Sequence, residues 1–190
     1  MQKVKLDDIA EIFSGLSYRR YLDNDGNNFK IIVQRSIKKD GVCKDFEEVS
    51  LSKKIKKRYF SKENDVLMKM SYPYDVVCIK EKGIIISDKI AIIRPKNGYD
   101  PDFIAHVLTN THINKQLYQL STNEKIPHIS LKQIKQLQLI SPDFETQKKY
   151  GHLLNLINEK IKVDINQINH DRRLKQAIIN DLWSKQDEIQ

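Results

Sequence analysis

Apolar residues recur every three or four positions through the last fifth of the chain: Tyr150, Leu153, Leu154, Ile157, Ile161, Ile165 and Ile168, then Leu174, Ile178 and Leu182. This spacing lays them along one stripe of an α-helix, with Asn, Gln, Lys and Asp opposite. Between Phe144 and Ser184 there is no proline, and Gly151 is the only glycine. The pattern predicts one helix of about forty residues, on the order of 60 Å long. So long a stripe asks for a partner, which makes the helix a dimerisation or docking arm; a helix folded back on its own domain is the alternative. The stripe lapses at Asn169-His170-Asp171-Arg172-Arg173, which predicts a shift of the apolar face around the rod and a polar patch that either contacts its copy or another subunit, the preferred reading, or faces water.

The first 142 residues follow shorter periods. Val4 to Phe13 reads as a strand running into a helical turn that Asp7 or Asp8 caps, and Gly15 breaks it before a loop at Ser17-Tyr18-Arg19-Arg20-Tyr21. Asp23 to Asn28 is a turn signal, Phe29 to Val33 a strand, and Lys39-Asp40-Gly41 a second turn. From Asp65 to Pro95, short β-branched runs alternate with Ser71-Tyr72-Pro73-Tyr74, Lys82-Gly83 and Ser87-Asp88-Lys89, predicting a mixed or antiparallel sheet. Pro101-Asp102 opens a helix to about Leu120, Ser130 caps a short helix through Gln136, and Leu137 to Ile140 is a strand. The fold class is therefore α+β: a small mixed or antiparallel-sheet domain over residues 1–142, then one long C-terminal helix over 143–190.

Charge narrows the partner. The net charge of +8 is concentrated in residues 1–143, which hold 25 basic against 18 acidic groups, whereas residues 144–190 hold 8 against 7. A basic globular part points to a polyanion such as nucleic acid. Lys53-Lys54-Ile55-Lys56-Lys57-Arg58 is a phosphate-positioning candidate or simply a solvated face. The N-terminal residues carry no apolar signal core and no run reaches the length of a membrane span, so a cytoplasmic protein is expected. Cys43 and Cys78 lack paired spacing and are expected as free thiols.

Catalytic patterns are missing. No Asp-x-Lys or Glu-x-Lys occurs, the cysteines and histidines are scattered, and the six glycines form neither a P-loop nor a dinucleotide fingerprint. The Asp23–Asn28 segment lacks the terminal glutamate of a calcium loop, so no metal is expected. Ser71-Tyr72-Pro73-Tyr74 resembles the Asn/Asp/Ser-Pro-Pro-Tyr/Phe motif of amino-methyltransferases, but Tyr72 replaces the first proline and no cofactor loop accompanies it. A non-catalytic chain is expected.

In order along the chain, five segments resemble the DNA-specificity (S) subunit of type I restriction-modification systems. Val4-Lys5-Leu6-Asp7-Asp8-Ile9-Ala10-Glu11-Ile12 with Gly15 is similar to the family's start. Asp65-Val66-Leu67 is similar to its Gly-Asp-hydrophobic-Leu strand, with Asn64 in place of glycine. Ser87-Asp88-Lys89 into Ile90–Arg94, and Lys125-Ile126-Pro127-His128-Ile129-Ser130, resemble later segments of a target-recognition domain. Pro142-Asp143-Phe144-Glu145-Thr146-Gln147-Lys148-Lys149-Tyr150 resembles the junction that launches the family's spacer helix, with Tyr150 for isoleucine.

The resemblance implies a half-length subunit with one recognition domain and one spacer helix. Two copies would pair their helices antiparallel and read two inverted half-sites of double-stranded DNA. It implies a DNA methyltransferase partner that carries S-adenosylmethionine, with no cofactor in this chain, and leaves room for a restriction or translocase subunit. The alternative is an interaction or regulatory protein that occupies the methyltransferase through its helix without reading DNA. Candidate DNA-binding residues are Ser17, Tyr18, Arg19, Arg20, Gln34, Arg35, Ser71, Tyr72, Lys89, Lys125 and His128. The dimerisation and docking residues are Leu154, Ile157, Ile161, Ile165, Ile168, Leu174, Ile178 and Leu182.

Overall fold

The computed structural model describes residues 2–52, 54–121 and 127–187, with side chains as far as Ser184. Four strands make the central antiparallel sheet: β2 (Ala10–Ser14), β5 (Asp65–Lys69), β6 (Val76–Ile79) and β8 (Ile90–Pro95), in the order β2-β8-β5-β6. Successive side chains of a strand point to opposite faces. Here both faces are buried, which explains the near-continuous apolar runs. Ile12, Val66, Met68, Val76, Ala91 and Ile93 enter one core, while Phe13, Leu67, Val77, Ile79, Ile90 and Ile92 enter another.

The first core is closed by helices. The turn α1 (Leu6–Ile9) buries Leu6 and Ile9; α2 (Pro101–Leu108), α3 (Thr111–Leu120) and α4 (Leu131–Lys135) add Ile104, Leu108, Ile113, Leu117 and Ile134. Residues 101–120 are thus two helices, not the one expected. Asn110 supplies the second N-cap, its Oδ1 accepting from His112 N at 2.9 Å, just as Asp100 accepts from Phe103 N at 2.7 Å. Ser130 caps α4 as expected, in a reciprocal capping box with Gln133. Asp7 and Asp8 do not cap α1: they lie inside its first turn, and Lys5 is the N-cap without a side-chain bond. The edge strand β1 (Gln2–Lys5) pairs antiparallel with β9 (Gln138–Ser141).

The second core is roofed by a mixed sheet of β4 (Glu47–Leu51), β3 (Leu22–Ile32) and β7 (Ile85–Ile86), with β3 antiparallel to β4 and parallel to β7. The polar run Asp23–Asn28 is a bulge within β3 instead of a turn before it. Leu22 and Asn27 both register with Leu51, and Asp23 Oδ1 accepts from Asp25 N at 3.1 Å to hold the extra residues. Strand β4 was not expected, because only Val49 and Leu51 in Glu47-Glu48-Val49-Ser50-Leu51 carry an apolar signal.

The chain divides into two compact units, Met1–His152 and Leu153–Gln190. Helix α5 (Phe144–Asp187) begins in the first. Gln147, only 2% exposed, anchors it there. Its Nε2 donates to Pro142 O at 2.8 Å, and its Oε1 accepts from Asp100 N at 3.0 Å. Gly151 permits the close approach, since a Cβ there would lie 2.5 Å from Asp100 Oδ1. Asp143 caps the helix through Thr146 N at 2.9 Å and Thr146 Oγ1 at 2.7 Å, bonds that hold its carboxyl below the usual carboxylate range.

Through its described residues the second unit is a single helical segment whose apolar side chains, apart from the half-buried Leu154, are open to solvent. Ile157, Ile161, Ile165 and Ile168 are 45–50% exposed, and Leu174, Ile178 and Leu182 52–63%. Leu156, Val163, Ile179 and Trp183 are also exposed and enlarge the expected set. Ile161 to Ile179 and Leu156 to Leu174 each span five turns of about 3.6 residues. The apolar set therefore forms one broad face. Ile157, Ile161, Ile165, Ile168, Ile179 and Trp183 lie on one side of it, Leu156, Val163, Leu174 and Ile178 on the other, and Leu153 and Leu182 between them. Across Asn169–Arg173 the residues named from the sequence pass from the first side of this face towards the second, while Ile179 and Trp183 continue the first. Among the described residues no helix is long and apolar enough to cross a membrane.

Candidate nucleic-acid interface

Three chain segments that leave the buried strands are sewn together at one surface. Past β2, Leu16 N donates to Ile86 O at 2.7 Å, and Asp88 N donates back to Leu16 O at 3.0 Å. Ser87 N donates to Ile32 O at 3.0 Å, joining the end of β3. Gly15 allows this closeness, because a Cβ would fall 2.1 Å from Ile86 O. The segments then turn outward: residues 18–21 and 34–36 as single 3-10 turns, and 87–89 as the connection into β8.

The outward turns enclose an open cleft of about 370 Å³. Ser17, Tyr18, Arg19, Gln34, Arg35 and Lys89, all named from the sequence, line it. Ser71 joins them through Gln34, whose Nε2 donates to Ser71 Oγ at 2.6 Å and to Lys89 O at 3.4 Å. Ser71 in turn bridges His128, and Tyr72 N donates to Pro127 O at 3.0 Å. Residues far apart in the chain thus share one face. Arg20 is exposed on the same 3-10 turn as Arg19, outside the cleft lining.

Two expected residues behave differently. The Tyr18 ring is only 7% exposed, packed in the core that includes Ile31, Leu51 and Ile85, so the ring is no stacking surface; its hydroxyl donates to Glu47 Oε1 at 3.0 Å. Tyr72 is 63% exposed, edge-on to Tyr74, and lines a separate cavity of about 780 Å³ with Thr111 and Tyr118. Lys125 lies outside the described residues, as does Lys53. In the basic run, Arg58 is held at home, its guanidinium 4.6 Å from the centroid of the Phe13 ring. The Ser71–Tyr74 segment is the turn between β5 and β6, braced by the half-buried Lys69–Asp75 pair at 2.7 Å.

The cleft also holds groups that charge counting passes over. Glu47 accepts from Arg35 at 3.3 Å through Oε2, and Asp88 accepts from Ser87 Oγ at 3.3 Å. The only sequence sign of Glu47 is its place at the head of the alternating run that forms β4. Arg19, Arg35 and Lys89 against Glu47 and Asp88 make a mixed surface. Such a surface suits base edges and phosphates together better than a uniform basic patch does. Cys43 and Cys78 are free, and burial pushes both thiols up to about 12, which disfavours the thiolate.

The cleft thus belongs to an α+β unit from which helix α5 starts. Residues 1–170 match the family model described as the type I restriction modification DNA specificity domain. The chain belongs to that family of non-catalytic specificity subunits. Solved structures are similar in fold. The HsdS subunit from Thermoanaerobacter tengcongensis superposes with a TM-score of 0.60 at 16% identity, over 85% of this chain and 38% of that one. The type I restriction-modification S subunit from M. genitalium gives 0.56 at 13%, over 85% and 40%. A chain from a study of complex assembly and conformational transition of the type I R-M system gives 0.63 at 16%, over 85% and 39%. This chain therefore spans about two fifths of the length of those neighbours. No curated protein matches it.

Proposed function

We propose that the chain is a sequence-specific DNA-binding subunit that reads one half-site of double-stranded DNA through the cleft and supplies a helix for assembly. The convergence of Ser17, Arg19, Gln34, Arg35, Ser71 and Lys89 on one face of a specificity-family domain carries this reading. Arg19, Arg20, Arg35 and Lys89 hold phosphates or base acceptors, while Ser17, Gln34 and Ser71 face base edges. Two copies pair antiparallel through the exposed residues of α5 and read two inverted halves of a bipartite target. A DNA methyltransferase docks on the assembly and brings S-adenosylmethionine; a restriction or translocase subunit completes the system where one is present. Contiguous exposed apolar residues support the assembly role, since an isolated helix of this kind is stabilised mainly by packing its apolar face.

The test is methylation of a defined target by the chain with its methyltransferase. Arg19→Ala with Arg20→Ala should abolish site-specific methylation while leaving co-purification with the methyltransferase intact. Unchanged methylation by that variant refutes the reading of DNA at this face and leaves the chain a docking protein only.

A further inference from the structure

The polar groups of the cleft differ in what they can still offer a ligand. Both N–H groups of Gln34 are engaged, one by Ser71 Oγ at 2.6 Å and one by Lys89 O at 3.4 Å. A backbone carbonyl can only accept, so the bond to Lys89 O fixes which end of the amide is nitrogen. What Gln34 has left to offer is its carbonyl oxygen, which accepts no described hydrogen bond. Glu47 is fixed in the same way. The buried Tyr18 hydroxyl holds Oε1 at 3.0 Å and Arg35 holds Oε2 at 3.3 Å, leaving lone pairs and no hydrogen to give.

Two acceptor-only groups in a DNA-facing cleft restrict what can sit opposite them. Phosphates repel a carboxylate, and base carbonyls and ring nitrogens offer no hydrogen. The donors that base edges offer are exocyclic amino groups: cytosine N4 and adenine N6 in the major groove, guanine N2 in the minor groove. Gln34 is also barred from the usual bidentate pairing with adenine, which needs a free amide N–H for N7. Building on the DNA-reading function above, we infer that Gln34 and Glu47 are specificity-determining acceptors that read an exocyclic base amino group. Ser71 is the positioning residue that holds the Gln34 amide in its acceptor-only orientation.

The test has two stages, on the full chain with its methyltransferase. Methylated DNA from cells carrying the wild-type, Gln34→Ala or Glu47→Gln chain is sequenced to find the base pair at which each variant loses discrimination. Binding is then measured to duplexes whose base at that pair lacks its amino group: 2-pyrimidinone for cytosine, purine for adenine, inosine for guanine. Removing the amino group should weaken wild-type binding about tenfold and leave binding of the matching variant unchanged; which analogue acts identifies the base and groove. Replacing adenine by 7-deazaadenine should have no effect. Glu47→Gln keeps the shape of its parent and guards against misreading a folding defect in Gln34→Ala. Motifs unchanged in both variants, or sensitivity to 7-deazaadenine with indifference to the amino group, would overturn this inference while the DNA-reading function stands. A wild-type chain with no motif at all overturns both.

Discussion

The two units of this chain use the same kinds of residue in opposite ways. In the compact unit, Ile85, Ile86, Ile90, Ile92 and Ile93 are all 0% exposed. In the distal helix, Ile157, Ile161, Ile165, Ile168 and Ile178 are 45–55% exposed. The first set has its partners within the chain, brought together by strand alternation. The second stays open to solvent. Isoleucines in the first set therefore report on folding, and those in the second are free to report on the proposed assembly.

The largest effect that sharpens this contrast lies in the compact unit. Arg94 pairs with buried Asp65 at 2.8 Å and donates to Arg58 O and Phe60 O. Arg94→Ala leaves that buried carboxylate without its charge partner, with only Lys62 N still donating to it at 2.8 Å, and should cost about 3–5 kcal/mol in urea unfolding. Next is the seam at the start of α5. Gln147→Ala strands Asp100 N, leaves Pro142 O only the longer bond from Ser141 Oγ at 3.4 Å, and should cost about 1–3 kcal/mol, with amide exchange accelerated first in residues 143–152. In the distal helix, Ile161→Asp with Ile165→Asp should move the compact unit's stability by no more than about 0.5 kcal/mol. The same pair should convert a dimer to a monomer in sedimentation equilibrium. A loss of stability as large as that of Arg94→Ala would erase the distinction between the units.

The smallest effect is one of pH. The folded pKa of Asp143 is depressed by its bonds to Thr146, so its capping contribution is complete above the ordinary carboxylate pKa. It is lost as pH falls through the lower folded value. Amide exchange at Thr146 should rise in acid, and Asp143→Asn should flatten that dependence.

Much of this was legible in the residues, for physical reasons that differ by element. The long helix announced itself because period and length are both properties of the local sequence. The central strands did so because burial on two faces demands unbroken apolar runs. Asp65 and Gln147, noticed through family resemblance, prove to be anchors: one pairs with Arg94, the other clamps α5 to Asp100. Asn64 stands where the family has glycine and has φ of 69°, a backbone region that asparagine tolerates better than most residues. The bulge at Asp23–Asn28 and the cap at Asn110 were misread because polar residues that bond their own backbone serve turns, bulges and helix starts alike. Glu47 escaped notice because its role depends on Tyr18 and Arg35, which the fold brings to it. Tyr18 misled for the converse reason, since its burial is set by strands distant in sequence.

The most direct test of the central claim is the sequence motif methylated in DNA from cells that express this chain with its methyltransferase. A specificity subunit acting as a pair of copies predicts a bipartite motif of two inverted half-sites separated by a fixed spacer. Methylation without a motif, or a single undivided site, would contradict it.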